Sequence, residues 1–279
     1  MTRRPANARG PARRAVAGIA ALATVAALAC GAAAPARAGQ ACTEEAPTTV
    51  SVQRGLELAE HVRAALDDSG ARVVLLARAG QDLDRWGLRW SHFGFAYLDE
   101  AATPPTWRVV HKLNQCGTDH ADVFRQGLGD FFLDAPFRYE AAIVTLSPET
   151  EQALLPVITD DRRVVQWHTK RYSVVAYPWA TRYQQSNQWA LETLAGAIEP
   201  AASDRERAQM WLRLHDYRPA DLHIDAFTRL GARITRANVA FDDHPNERRF
   251  SDHIDTVTAE SVFDWLLREH RASSPMVVR

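Results

Sequence analysis

The chain of 279 residues carries 33 basic and 34 acidic side chains, eight tryptophans and three cysteines. Its near-neutral total hides an asymmetry. Six arginines and no acid lie in the first 38 residues, leaving 27 basic against 34 acidic residues beyond them, a net of −7. A body that acidic, without a basic block, is excluded as an ordinary nucleic-acid binder, and its overall charge does not hold it on anionic lipid.

Residues 1–38 read as a cleavable export signal. Five arginines (Arg3, Arg4, Arg9, Arg13, Arg14) precede an alanine-rich apolar stretch, Ala15 to Ala29, that is too short to span a bilayer. Small residues at Ala36 and Ala38 suit cleavage before Gly39, giving a periplasmic or secreted protein. A lipoprotein would instead use Cys30, but Ala27 stands where a larger aliphatic residue is usual; no later segment is apolar enough to span a membrane. Cys42 and Cys116 then form an even pair in an oxidising compartment, for which a disulfide is the simplest state and two free thiols the alternative.

Residues 39–53 read as a polar leader and 54–279 as a single domain, with a core over about 54–200 and a C-terminal extension over about 201–279. Leu58, Val62, Ala65 and Leu66 predict an amphipathic helix over 54–67. Strands are predicted at 72–77, 91–98 and 107–113, the last two joined by a turn at Pro104-Pro105; the segment 79–90 between the first two reads as a loop. Residues 119–132 mix Gly127 and Gly129 with three phenylalanines and stay ambiguous. A strand over 139–146 precedes a helix opened by Pro148 and running to Ile158. Residues 173–177 read as a strand, and Trp189, Leu191, Leu194, Ala195 and Ile198 predict a helix over 187–198. Ser203 and Glu206 have capping-box spacing for a helix to Leu214. Strands near 222–227 and 232–241, an acidic loop over 242–249 and a helix over 259–269 complete the chain. Helices and strands mix without a βαβ rhythm, which predicts the α+β class.

Phosphate-loop, dinucleotide, nucleophile-elbow and His-Glu-x-x-His motifs are all absent from the sequence, and no cofactor is implied. The most suggestive segment is Ser91-His92-Phe93-Gly94-Phe95-Ala96-Tyr97. Strand alternation puts Phe93, Phe95 and Tyr97 on one face and His92, Gly94 and Ala96 on the other. The two small residues after His92 leave a floor on which the helix beginning near Ser186 could pack. A hydroxyl at a helix N-terminus facing a strand histidine makes a nucleophile and general-base pair, with His111 as orienting group and Asn187 as oxyanion donor. The bland alternative makes Ser186 an N-cap and both histidines ordinary strand residues. Trp90, Tyr183 and their aromatic neighbours Trp86, Trp179 and Trp189 either line a ligand groove or belong to the core. Asp242, Asp243, His244, Glu247, Asp252, His253 and Asp255 could ligate a divalent metal, but the spacing fits no metal motif and Arg248 and Arg249 interrupt it, so no metal is assigned.

Ser-His-Phe-Gly-Phe-Ala-Tyr, Val-Val-His-Lys-Leu-Asn-Gln-Cys-Gly, Tyr-Gln-Gln-Ser-Asn-Gln-Trp-Ala-Leu-Glu and Phe-Asp-Asp-His-Pro-Asn-Glu-Arg-Arg-Phe resemble a secreted bacterial family of unknown function, numbered 2145. More remotely, the order of elements resembles the circularly permuted NlpC/P60 hydrolases. That resemblance implies a papain-like antiparallel sheet packed on helices with a C-terminal α/β extension. It also implies His92 in the histidine role, His111 as the polar orienting group and Ser186 at the cysteine position. A serine gains less than a thiol from such geometry. Two functions follow: an exported hydrolase acting on an amide, thioester or ester bond in the envelope, or a non-catalytic protein binding a peptide or glycan in the same groove.

Overall fold

A computed structural model describes residues 47–133 and 136–279. The signal segment, Cys30, the cleavage site and Cys42 lie outside the described residues, and the Cys42–Cys116 pairing with them. The described residues all fall in one compact unit, residues 37–279. None of their helices is long and apolar enough to cross a membrane.

The class is α+β, built on a six-stranded antiparallel sheet. Its strands are β1 (Val73–Ala79), β2 (His92–Asp99), β3 (Thr106–Asn114), β4 (Ala121–Gly127), β5 (Arg138–Thr145) and β8 (Met276–Val278). They lie in the order β4-β3-β2-β1-β5-β8. Central β1 reads Val-Val-Leu-Leu-Ala-Arg-Ala because both of its faces are covered; all seven residues are buried. Strand β8, absent from the sequence reading, adds Met276–Val278 to the open edge of β5.

Alternation along the strands divides the interior in two. One face carries Val74, Leu76, Ala96, Val109 and Ile143 and is covered by α1 (Thr49–Ser69) and α2 (Leu128–Phe132). The other carries Val73, Leu75, Phe93, Phe95, Val110 and Val144. It is covered by α3 (Pro148–Ile158), α4 (Ser186–Ile198), α5 (Arg205–Leu214) and α8 (Ala259–Arg268). Trp189 of α4 meets the Phe95 ring edge-on at 5.7 Å, and Phe263 of α8 meets Phe93 at the same separation. Each such fully buried apolar side chain stabilises the fold by roughly 1.5–3 kcal/mol.

Several local expectations change. Helix α1 begins at Thr49, five residues early, because the Thr48 hydroxyl accepts from the Ser51 N–H and makes an N-cap inside the supposed leader. The ambiguous 119–132 segment divides into β4 and α2. Asp204, not Ser203, caps α5, accepting from the Arg207 N–H. Residues 173–177 form no strand. The Val174 N–H goes to the Asn238 carbonyl and the Tyr177 N–H to Asp243, so the segment is held by the loop opposite and not by a ladder. The region 222–241 holds β6 (Ala220–His223) and then a helix, α6 (Ala226–Thr235), started by Asp225 as N-cap. Strand β6 pairs only with β7 (His253–Thr256), and α7 (Asn246–Phe250) breaks the acidic loop before it.

The tightest packing on the α4 face is at Gly196. A Cβ there would lie 2.0 Å from the buried indole of Trp167, whose Nε1 donates to the Ala202 carbonyl at 2.8 Å. Gly196→Ala must therefore displace that ring, and we expect a loss of about 1–3 kcal/mol, read as a lower midpoint in urea denaturation.

Candidate functional site

The proposed catalytic residues separate onto the two faces of the sheet. His92 and His111 come together: Nε2 of His92 lies 2.9 Å from Nδ1 of His111. Both rings sit on the α1–α2 side, with centroids 5.9 and 5.1 Å from that of Phe131. Helix α4, which carries Ser186, packs on the other side, against Phe95. Among the described residues no hydrogen bond links Ser186 to either histidine. The triad of His92, His111 and Ser186 is not assembled, because alternation aims the histidines away from the helix that the sequence placed beside them.

The end of α4 does reach β2, through Asn187. Its Oδ1 accepts from the Phe93 N–H at 3.2 Å, so this amide fastens helix to strand with its oxygen. Ser186 is the first residue of the helix and not its cap; Gln185 takes the N-cap position without a side-chain cap bond. The side chain beside Ser186 is Tyr172, whose phenol burial pushes up while Ser186 offsets part of the effect. Trp90 and Tyr183 are buried, 5 % exposed each, and belong to the packed interior.

The α1–α2 face instead carries a polar row across four neighbouring strands: Arg78 on β1, His92 on β2, His111 on β3 and Gln126 on β4. Arg78 stands directly opposite His92 in the ladder, and its guanidinium donates to the Phe131 carbonyl. Nε2 of His111 lies 2.7 Å from Oε1 of Gln126. That oxygen only accepts, so His111 carries its proton on Nε2 and its Nδ1 accepts from the Nε2–H of His92. Gly94 makes the arrangement possible, since a Cβ there would lie 2.7 Å from Cβ of His111. Burial, and then the neighbouring charges, keep both rings neutral: His92 is driven well below its ordinary value, and His111 is pulled down to about 3. Gln126 was missed in the sequence because nothing local distinguishes it from any other polar residue on an edge-side strand. As chemistry, the row is a fixed tautomer chain without an attacking group.

A second polar assembly fills the α4 side. Glu192 and Arg205 form an ion pair, with Nε to Oε2 at 2.7 Å and side chains 1 % and 8 % exposed. Gln184 and Gln209 donate to the same carboxylate, and Lys112 donates to Gln184 Oε1 at 2.7 Å and to the Thr169 carbonyl at 2.6 Å. Burial, with the Arg205 charge added, drives the Lys112 ammonium well below its ordinary value. Arg205 also donates to the carbonyls of Ala180, Thr181 and Tyr183, so one guanidinium holds the loop before α4.

That loop and α5 enclose a surface groove of about 550 Å³. Trp179, Arg182, Glu206, Gln209, Met210 and Arg213 line it. The Trp179 ring is backed edge-on by Tyr217 at 6.0 Å, and the Arg213 guanidinium lies 4.6 Å from its centroid. Met210 is 58 % exposed at the rim. Gln209 ties the groove floor to the buried carboxylate of Glu192.

The acidic loop spends its ligands internally. Asp243 accepts from the Tyr177 N–H and contacts Nδ1 of His244, Arg248 bridges Asp255 and Asp221, and His253 pairs with Asp221. Among the described residues no group of three or more His, Cys, Asp or Glu side chains could hold a metal ion.

Residues 65–266 match the model of a family described as an uncharacterized protein conserved in bacteria (DUF2145). No curated protein and no solved structure shows significant similarity to the chain.

Both histidines of the row have folded values below their unfolded 6.5, so the stability they contribute is whole above that pH and drains as acid protonates the unfolded chain first. We expect stability to fall as the pH drops below about 6.5, by up to about 1.4 kcal/mol per pH unit for each ring. His168, pulled down to about 4 mainly by burial, adds to the same trend, so the comparison that isolates the row is wild type against His92→Gln, whose acid slope should be shallower. In the second assembly, Glu192→Ala leaves Arg205 buried without its counter-charge and should cost about 3–5 kcal/mol in chemical denaturation.

Proposed function

The chain belongs to this bacterial DUF2145 family, and on that premise we propose that it is an exported, non-catalytic protein that binds a peptide or glycan in the groove around Trp179. The observation that carries the proposal is the groove itself. A half-buried indole braced edge-on by Tyr217, with the Arg213 guanidinium over its ring, stands in the groove wall, and side chains of both charges surround it. Sugars and peptide side chains pack on such rings while their polar groups take hydrogen bonds from the rim. The floor is rigid because Gln209 and the 180–184 loop are tied to the buried Glu192–Arg205 pair, which lowers the ordering cost of binding. Export rests on the composition of the first 38 residues, and it places envelope peptides and glycans within reach.

The remoter likeness to permuted NlpC/P60 hydrolases is carried by element order, a histidine strand followed by a helix. In a papain-like reading of this sheet, α4 meets the histidine strand through Trp189 on Phe95 and through the Asn187 amide that accepts from the Phe93 N–H, and neither side chain is a nucleophile. That favours the binding function over hydrolysis.

Titration with a soluble cell-wall disaccharide–tetrapeptide, a chitin tetrasaccharide and a tetrapeptide, followed by tryptophan fluorescence, tests the proposal. At least one probe should bind, Trp179→Ala should weaken it about tenfold or more, and Ser186→Ala should leave it unchanged. Fluorophosphonate labelling of Ser186 that vanishes in His92→Ala would sink the non-catalytic reading and restore the hydrolase.

A further inference from the structure

Helix α6 is built inside out. Positions 227, 230 and 234 share one side of a helix, and they hold Phe227, Leu230 and Ile234. These side chains are 87, 58 and 75 % exposed, while the one buried residue of the helix is an arginine, Arg229. Arg229 turns towards the domain, donating to the Ile224 carbonyl and pairing with Asp252 at 2.7 Å. Position 229 lies roughly opposite the apolar stripe on the helical wheel, so the anchor that fixes the helix also points its apolar side outward.

The surroundings continue the pattern. Phe250, two residues before the Asp252 that Arg229 grips, is 71 % exposed. From Ala226 to Phe241 the only charged residues are Arg229, Arg233 and Arg236, and Arg233 and Arg236 are exposed. A short helix with a convex apolar ridge, arginines in and after its last turn and a single acid, Asp225, engaged as its N-cap, fits the interface of a bilayer, where the ridge enters the acyl boundary and the arginines meet lipid phosphates. The wider chain is acidic, but only charges within about 10 Å of a surface count at physiological salt, and beside the ridge the exposed Arg233 and Arg236 outnumber the N-cap Asp225.

We propose that α6 docks the protein on an anionic bilayer surface, through Phe227, Leu230 and Ile234 with Arg233 and Arg236. The helix lies on the membrane and does not cross it, since its ten residues span only about 15 Å.

The test is flotation of the chain beginning at Gly39 with vesicles of phosphatidylglycerol and phosphatidylethanolamine, and with pure phosphatidylcholine. The compact unit holds all the described residues of that chain. The protein should float with the anionic vesicles. Phe227→Asp/Ile234→Asp should cut the bound fraction about tenfold or more with the melting temperature unchanged, because both side chains are solvated in the free protein. Arg233→Glu/Arg236→Glu should weaken binding to the anionic vesicles and leave phosphatidylcholine unaffected. Absence of flotation with anionic vesicles overturns the proposal, as does undiminished flotation of the Phe227→Asp/Ile234→Asp variant. A concentration-dependent dimer that Phe227→Asp dissolves, in a protein that does not float, would give the ridge to a second copy of the chain instead.

Discussion

The ion pair between Glu192 and Arg205 is the constraint around which the α4 side of the molecule is arranged. Two charges that deep need every lone pair and proton answered, and they are answered by Gln184, Gln209, Thr169 and three loop carbonyls. The result joins α4, α5 and the 180–184 loop into one unit. Lys112 extends the assembly into β3, so the sheet and the helices over it are fastened by polar contacts as well as by Trp189 and its neighbours. Such a network specifies one arrangement among many that an apolar interface would tolerate, and the groove at Trp179 inherits its rigidity.

The sheet then acts as a partition. On its far side, Arg78, His92, His111 and Gln126 form a second buried polar row, closed by Phe131, its two imidazoles held neutral by burial and by the arginine. The two assemblies share β3, where His111 faces one way and Lys112 the other. Neighbouring residues on a strand thus serve separate interiors. Asn187 fastens α4 to the start of β2, its side-chain amide oxygen taking the Phe93 N–H.

Helix α6 illustrates how a single buried charge can set orientation. An amphipathic helix normally turns its apolar side to the core. Here Arg229 is drawn to Asp252 and to the Ile224 carbonyl, and the small core of Leu222, Ile224, Phe241 and Ile254 is complete without the helix. The apolar ridge of Phe227, Leu230 and Ile234 is left facing outward.

The sequence by itself determined the strands and the helices with strong periodicity. The alternating β2, the doubly buried β1, the Pro148 helix and the Trp189 helix were legible because side-chain period and backbone geometry are the same fact. It also determined that Phe93 and Phe95 oppose His92. Which of those faces receives α4 was not legible, since either choice satisfies the local pattern. Only tertiary packing decided it: Trp189 seeks the phenylalanine face, and the histidines go with Phe131. The same limit explains residues 232–241, which the sequence reads as a strand. The Asp225 cap and the Arg229–Asp252 pair, contacts far apart or invisible in composition, made part of that region a helix. Composition and period fixed what each segment could be; long-range pairing of buried charges settled which way it faced.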